Sequence, residues 1–249
     1  MLIIFYIFKT YSSSQASLLR LYTNNMKLFP ITGFSDPFSS MTHLFSSPIF
    51  FVIGIAMIWR LRGNLARTLS LSLFVFAVVF LLAMSGVFHL LTPGTTGRYV
   101  LQVLDHAAIF FLIAATFTPI HILQFVGFKR WGILTLVWLI AICSITLTSI
   151  FFEETPESLS LALYLGLGWL GIITGYLLCK RLGLKAIAPL LYGAIAYSLG
   201  AVLEFMRLPI LISGVIGPHE LFHVFVLFGI GFHWQFVQRM AQHHKDAIC

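Results

Sequence analysis

Two observations predict an all-α integral membrane protein, a bundle of seven transmembrane helices. Hydrophobic residues make up 59% of the 249-residue chain and charged residues only 9%, whereas a soluble domain carries about 25% charge to cover its water-facing surface. The apolar residues also fall into seven runs, separated by short segments rich in Gly, Pro and charge. Each run approaches the roughly 20 residues that a helix needs to cross a bilayer.

The spans are read at about 43–59, 68–91, 101–123, 131–151, 159–179, 187–206 and 218–238. Arg60, Arg62, Gly63 and Asn64 separate the first two, and Thr92-Pro93-Gly94-Thr95-Thr96-Gly97-Arg98 the next pair. Gly127, Lys129 and Arg130 precede the fourth span, and Glu153, Glu154, Pro156 and Glu157 the fifth. Lys180, Arg181, Gly183 and Lys185 open the sixth; Pro209, Ser213, Gly214, Gly217 and Pro218 open the seventh. The small-residue run Tyr192-Gly193-Ala194-x-x-Tyr197-x-x-Gly200-Ala201 reads as close helix packing. Residues 41–240 therefore form one membrane domain, followed by a polar C-terminal tail, 241–249. Residues 1–40 are expected to be a flexible, dispensable leader: Met1–Phe8 is too short to span, 11–40 are rich in Ser, Thr and Asn, and Met26 or Met41 is an alternative start.

The remaining composition narrows the partners. Fifteen Lys and Arg against eight Asp and Glu give a net charge of +7; in a membrane chain this excess anchors and orients loops and does not imply nucleic acid. Cys143, Cys179 and Cys249 lie far apart, so neither a disulfide framework nor a thiolate metal site is indicated.

Against this apolar background, His219-Glu220-Leu221-Phe222-His223 stands out. Helical residues four apart lie about 40° from each other, so His219 and His223 share one face a turn apart and can bind a single metal ion. The bland alternative is hydrogen bonding at the head-group level. Alternation of seven crossings puts the end of the second span, the start of the third and the start of the seventh on one membrane face. Ser85 and His89, Asp105 and His106, and His219 and His223 occur at those places. Three polar insertions at one depth favour the metal reading, because ionisable groups within a span are costly and mark functional sites. His89, His219 and His223 supply three imidazoles, and three protein ligands with a fourth position for water is the catalytic arrangement for zinc. Ser85, one turn from His89, is suited to orient a ligand or touch the water; Asp105 suits a supporting hydrogen bond or the general-base role. His106 points about 100° from Asp105 and reads as an outer or interhelix residue. His233 is about 21 Å along the helix from His219, beyond reach of the same metal. His43 and His121 are read as solvated span ends on the opposite face, His243 and His244 as part of the polar tail, and Glu204 and Arg207 as a pair at the bundle mouth.

Ser85-x-x-x-His89, Leu104-Asp105-His106 and His219-x-x-x-His223, in that order and in those spans, resemble the hemolysin III family, which belongs with the progestin and adipoQ receptors and the adiponectin receptors and is more distantly related to the alkaline ceramidases. Ser35-Asp36-Pro37 before Thr42-His43, Thr95-Thr96-Gly97-Arg98 and Tyr192-Gly193-Ala194 look like its bacterial branch. The resemblance covers about residues 34–240. It implies an adiponectin-receptor-like seven-helix fold with an intramembrane zinc held by His89, His219 and His223, with Asp105 and Ser85 near its water, in a bacterial inner (cell) membrane. The ceramidase-type relatives imply a lipid amide as substrate. Nothing in the sequence points to the pore that the family's name suggests. Three functions follow: a zinc-dependent hydrolase of a lipid amide or ester; an intramembrane metalloprotease, since His219-Glu220-x-x-His223 also fits the His-Glu-x-x-His pattern with Glu220 as base; or a non-enzymatic receptor or homeostasis protein in which the metal staples helices. For orientation, ten Lys and Arg lie on the C-terminal side and five on the other. The positive-inside rule then puts the C-terminus in the cytoplasm and the zinc mouth outside, whereas the adiponectin receptors are oriented the opposite way.

Overall fold

A computed structural model describes Phe29, Ile31 and residues 33–246, with no side chain described beyond His243. Eight helices are present among the described residues: α1 (Pro37–Leu61), α2 (Leu65–Leu90), α3 (Thr96–Gln124), α4 (Phe128–Ile150), α5 (Glu157–Trp169), α6 (Gly171–Leu182), α7 (Leu184–Met206) and α8 (Pro218–Asp246). Helices α5 and α6 meet at Leu170, whose own backbone is helical (φ −56°, ψ −22°), so together they make one span. Seven stretches are thus long and apolar enough to cross a membrane. Among the described residues no strand forms, only isolated bridges at Ile31–Phe34 and Ile212–Ile216. The chain is a multi-pass membrane protein.

The helices begin where the sequence supplies N-terminal partners. Asn64 accepts from the Arg67 N–H at 3.0 Å and Thr95 from the Arg98 N–H at 3.3 Å, each satisfying one orphan donor of a first turn. Pro218 opens α8, and the Glu220 carboxylate reaches back to the Gly217 N–H at 2.9 Å, one half of a capping box. At the end of α7, Arg207 adopts φ +56°. Its N–H bonds the Glu204 carbonyl while the Leu208 N–H bonds that of Leu203, a Schellman closure usually made by glycine. An arginine there keeps a guanidinium at this corner, where it serves the site below.

Two starts differ from the sequence reading. Helix α1 begins at Pro37 rather than near 43, and α3 at Thr96 rather than near 101; proline at the first helical position and the threonine cap favour the earlier starts. The Ser35 and Asp36 N–H groups bond the Leu90 and His89 carbonyls at 3.3 and 3.0 Å, so the segment before α1 crosses the end of α2. Residues just before 41 therefore take part in the bundle; the flexible leader expected before them lies largely outside the described residues. At the other end α8 continues to Asp246, into the stretch read as a polar tail.

Helix α2 is the central element, the most buried of the seven spans. Leu71, Phe74, Val78 and Leu82 point into a core completed by Trp234 and Val237 of α8 and Ala108 and Leu112 of α3. A second cluster joins Phe110 and Ala114 of α3 to Val137 and Ala141 of α4 and Leu167 of α5. Helices α7 and α8 approach closely: a Cβ at Gly200 would meet Phe225 at 2.6 Å, and one at Gly193 would overlap the His233 ring. The small-residue run does pack helices together, as expected.

The charge partition predicts the orientation. A C-terminal fusion to a reporter active only in the cytoplasm is expected to give signal, and one active only outside to give none. Activity from the outside-only fusion would overturn the assignment and move the three-histidine mouth to the cytoplasmic side.

Candidate metal centre

Helix α2 ends and α8 begins on the same face, which brings His89 beside His219 and His223. His219 Nε2 lies 3.1 Å from His89 Nε2 and 3.1 Å from His223 Nε2, and the three offer ligand atoms all within 4.8 Å of one another. Three nitrogens around a tetrahedral zinc, each about 2.0–2.1 Å from it, stand about 3.3–3.4 Å apart. The two separations from His219, both 3.1 Å, match that within a few tenths of an ångström, while the set as a whole spans up to 4.8 Å.

The outward nitrogens explain why these edges face each other. His89 Nδ1 donates to Asp36 Oδ2 at 2.9 Å, and the same oxygen accepts from Arg98 Nη2 at 2.7 Å. Arg98 also bonds the Leu91 carbonyl. Burial pushes the Asp36 carboxyl up, but its hydrogen bonds to His89 and Arg98 outweigh that and hold it below the ordinary carboxylate value. An ionised Asp36 can only accept, so the proton belongs on His89 Nδ1 and the Nε2 lone pair points inward. His219 has the same arrangement: Nδ1 lies 3.3 Å from Glu204 Oε1, which Arg207 Nη1 approaches at 2.6 Å. Arg207 Nη2 also meets Glu157 Oε2 at 2.7 Å. Two inward lone pairs at 3.1 Å repel unless a cation lies between them. The donor set therefore fits a metal ion, and imidazoles whose far nitrogens are tied to carboxylates are the usual form of histidine ligands.

The other residues singled out in the sequence divide clearly. Ser85 is buried one turn before His89. Asp105 lies nine residues into α3, partly buried, and interacts electrostatically with both His89 and His219; among the described residues no hydrogen bond engages it. Glu220 is fully buried and already accepts from Ser39 Oγ at 3.2 Å and from the Gly217 N–H. His106 pairs with the Gln102 carbonyl of its own helix at 2.8 Å and meets the edge of Phe152 in the turn after α4. His233 bonds the Leu190 carbonyl at 3.2 Å, within the α7–α8 contact and away from the cluster.

Two histidines correct the sequence reading. His43 is neither solvated nor on the opposite face: it is 2% exposed and stacks on His223 with ring centroids 4.0 Å apart. The start of the first span necessarily shares a face with the end of the second, because the chain reverses direction at each crossing. His121 is on the opposite face but fully buried, bonding the Lys129 carbonyl at 3.0 Å and Thr174 Oγ1 at 2.9 Å. The turn after α3 folds back over it and excludes water. Asp36 and Glu204 were not read as site residues. Glu204 was paired with Arg207 correctly, but its bond to His219 depends on how two helix ends meet. For Asp36 the available signal was a carboxylate immediately before a proline on the histidine face.

Fold and site together define a multi-pass helical membrane protein with a three-histidine cluster, His89 and His223 buried and His219 partly exposed, between the end of one span and the start of another. Residues 34–234 match the family described as Haemolysin-III related, and the chain belongs to that family. It is 32% identical over 168 residues to the Hemolysin-3 homolog of Bacillus subtilis (strain 168), covering 67% of this chain and 75% of that protein. It is 35% identical over 128 residues to the Hemolysin-3 of Bacillus cereus, covering 51% of this chain and 55% of that one.

Proposed function

We propose that this chain is a zinc-dependent hydrolase of a lipid amide, working at the membrane mouth where α2, α3 and α8 meet. The observation that carries the reading is the convergence of three imidazole Nε2 atoms, two of them with the opposite nitrogen held by a carboxylate. His89, His219 and His223 would hold the ion, three protein ligands being the number that catalytic zinc sites use. When bound, zinc supplies Lewis acidity toward a carbonyl oxygen and lowers the pKa of a water to near 7. Asp105 is the general base in this reading: its charge acts on both His89 and His219, and no hydrogen bond engages its carboxylate among the described residues. Ser85, buried one turn from His89, offers a hydroxyl to orient the reacting group. A membrane-embedded site favours a substrate that arrives through the bilayer, hence a lipid, and ceramidase-type relatives make an amide the class to test.

The His-Glu-x-x-His alternative requires Glu220 as base, yet that carboxylate is occupied by Ser39 and Gly217. The decisive comparison is Asp105→Asn against Glu220→Gln, with turnover of N-acyl lipids and of transmembrane peptides measured beside zinc content. Asp105→Asn is expected to keep its metal and lose about 10²–10⁴-fold in lipid turnover, the usual contribution of a general base. Glu220→Gln should keep most turnover and lose some stability, since it loosens the start of α8. Peptide cleavage abolished by Glu220→Gln would establish a protease instead. No turnover of either substrate, with zinc removal unfolding the protein, would establish a receptor or structural role.

A further inference from the structure

The face opposite the histidines carries a second feature, independent of the metal centre. Seven of the eight acidic residues (Asp36, Asp105, Glu153, Glu154, Glu157, Glu204 and Glu220) belong to the histidine face by alternation, leaving Asp246 alone on the other with ten Lys and Arg. There the ends of α3 and α6 and the turn before α4 border an open concavity of about 440 Å³, lined by Gln124, Phe125, Lys129, Leu177, Lys180 and Arg181 among others. That volume is in the range of about 300–1,000 Å³ that small-molecule sites occupy. Its lining holds three cations and no carboxylate. Among the described residues none of the three makes an ion pair.

The cavity is built rather than incidental. Arg181 is fixed by two hydrogen bonds to Gln124, one to its carbonyl and one to its side chain. Lys180 lies 4.6 Å over the Tyr176 ring. The first turn of α4, which carries Lys129, is braced by His121, which bonds the Lys129 carbonyl, and Arg130 bonds the Phe125 carbonyl. Three like charges bordering one concavity raise its positive potential and favour an anion there. The surroundings identify its source: Val126, Phe128 and Trp131 are 77%, 86% and 58% exposed beside the opening, and exposed aromatic residues at a helix end lie at the head-group level of a bilayer.

We propose that this cavity binds the phosphate head group of an anionic phospholipid, with Lys129, Lys180 and Arg181 as the charged contacts and Phe125 and Leu177 against the glycerol end. A basic pocket between transmembrane helices is a recognised form of lipid head-group site. Scattered positive charge that merely orients the loops would show no preference for one lipid molecule at one place.

The test uses the full chain in phosphatidylcholine nanodiscs, with phosphatidylglycerol titrated in and the first bound molecule counted by native mass spectrometry. Each basic residue near anionic lipid contributes about fivefold. The double variant Lys129→Ala/Lys180→Ala is therefore expected to weaken the first phosphatidylglycerol by roughly 30-fold. Both side chains are exposed, so helix content and zinc binding should not change. A control, Arg62→Ala/Arg239→Ala, removes the same charge from the same face outside the cavity and should leave that affinity within about twofold. Equal losses in the two double variants would overturn the proposal in favour of diffuse attraction. Phosphatidylcholine retained as well as phosphatidylglycerol would overturn it too. So would inorganic phosphate competing at an affinity equal to the lipid's, since the site would then take a free anion.

Discussion

His219→Ala is expected to abolish stoichiometric metal binding, and His89→Ala and His223→Ala to do the same. Four-ligand zinc sites bind with about 10–16 kcal/mol, so each ligand carries on the order of 3 kcal/mol, a hundredfold or more in affinity. With only three protein ligands there is no spare donor to make up the loss. His219 should be the most sensitive, because its Nε2 is 3.1 Å from each of the other two. His43→Ala is the informative control. Its ring stacks on His223 with 28° between the planes, so it presents a π face to that histidine and not a lone pair, and the variant should keep one zinc. His233→Ala should keep it as well, since that ring serves the α7–α8 contact. Elemental analysis of the purified variants decides the matter; a full equivalent of zinc in all three ligand variants would rule out this set.

What the sequence could reveal here follows from the range of the interactions. Seven spans were legible because transmembrane hydropathy is summed over some 20 residues, so errors at single positions cancel. The ends were less legible: α1 and α3 start five or six residues early because a proline and a threonine cap outweigh the polarity of the residues that follow. His219 and His223 were found from local periodicity alone, and His89 from alternation. Asp36 and Glu204 escaped because their roles arise from contacts 53 and 15 residues away in sequence, set by where helix ends meet in space. His43 shows a different limit. Alternation, carried through to the first span, puts it on the site face; only its stacking on His223 required the structure. Burial of His121 was not legible, since it depends on a turn folding back to offer the Lys129 carbonyl.

Asp36→Ala and Glu204→Ala are each expected to weaken zinc affinity by about 10–100-fold while the site still fills at saturating metal, the usual consequence of losing the partner of a ligand histidine. The physical reason is the same at both places. A carboxylate on Nδ1 fixes the tautomer that turns the Nε2 lone pair inward, and it increases the basicity of that nitrogen. Without it the imidazole can carry its proton on either nitrogen, and metal must compete with the wrong tautomer. Each carboxylate is itself held by an arginine, Arg98 on Asp36 and Arg207 on Glu204, so the two histidines are oriented from the rim by ion pairs anchored on different helices. Asp36→Asn should fall between wild type and alanine, because the amide oxygen still accepts a hydrogen bond but has lost the charge that Arg98 recognises. Since the two carboxylates act on different ligands, their effects should multiply in the double variant, giving a loss of about 10²–10⁴-fold. Competition against a chelator of known zinc affinity measures each step, and the visible spectrum of the cobalt-substituted protein reports ligand geometry without reference to turnover. Affinity and cobalt spectrum unchanged in both alanine variants would show that these carboxylates support the loops and not the metal ligands.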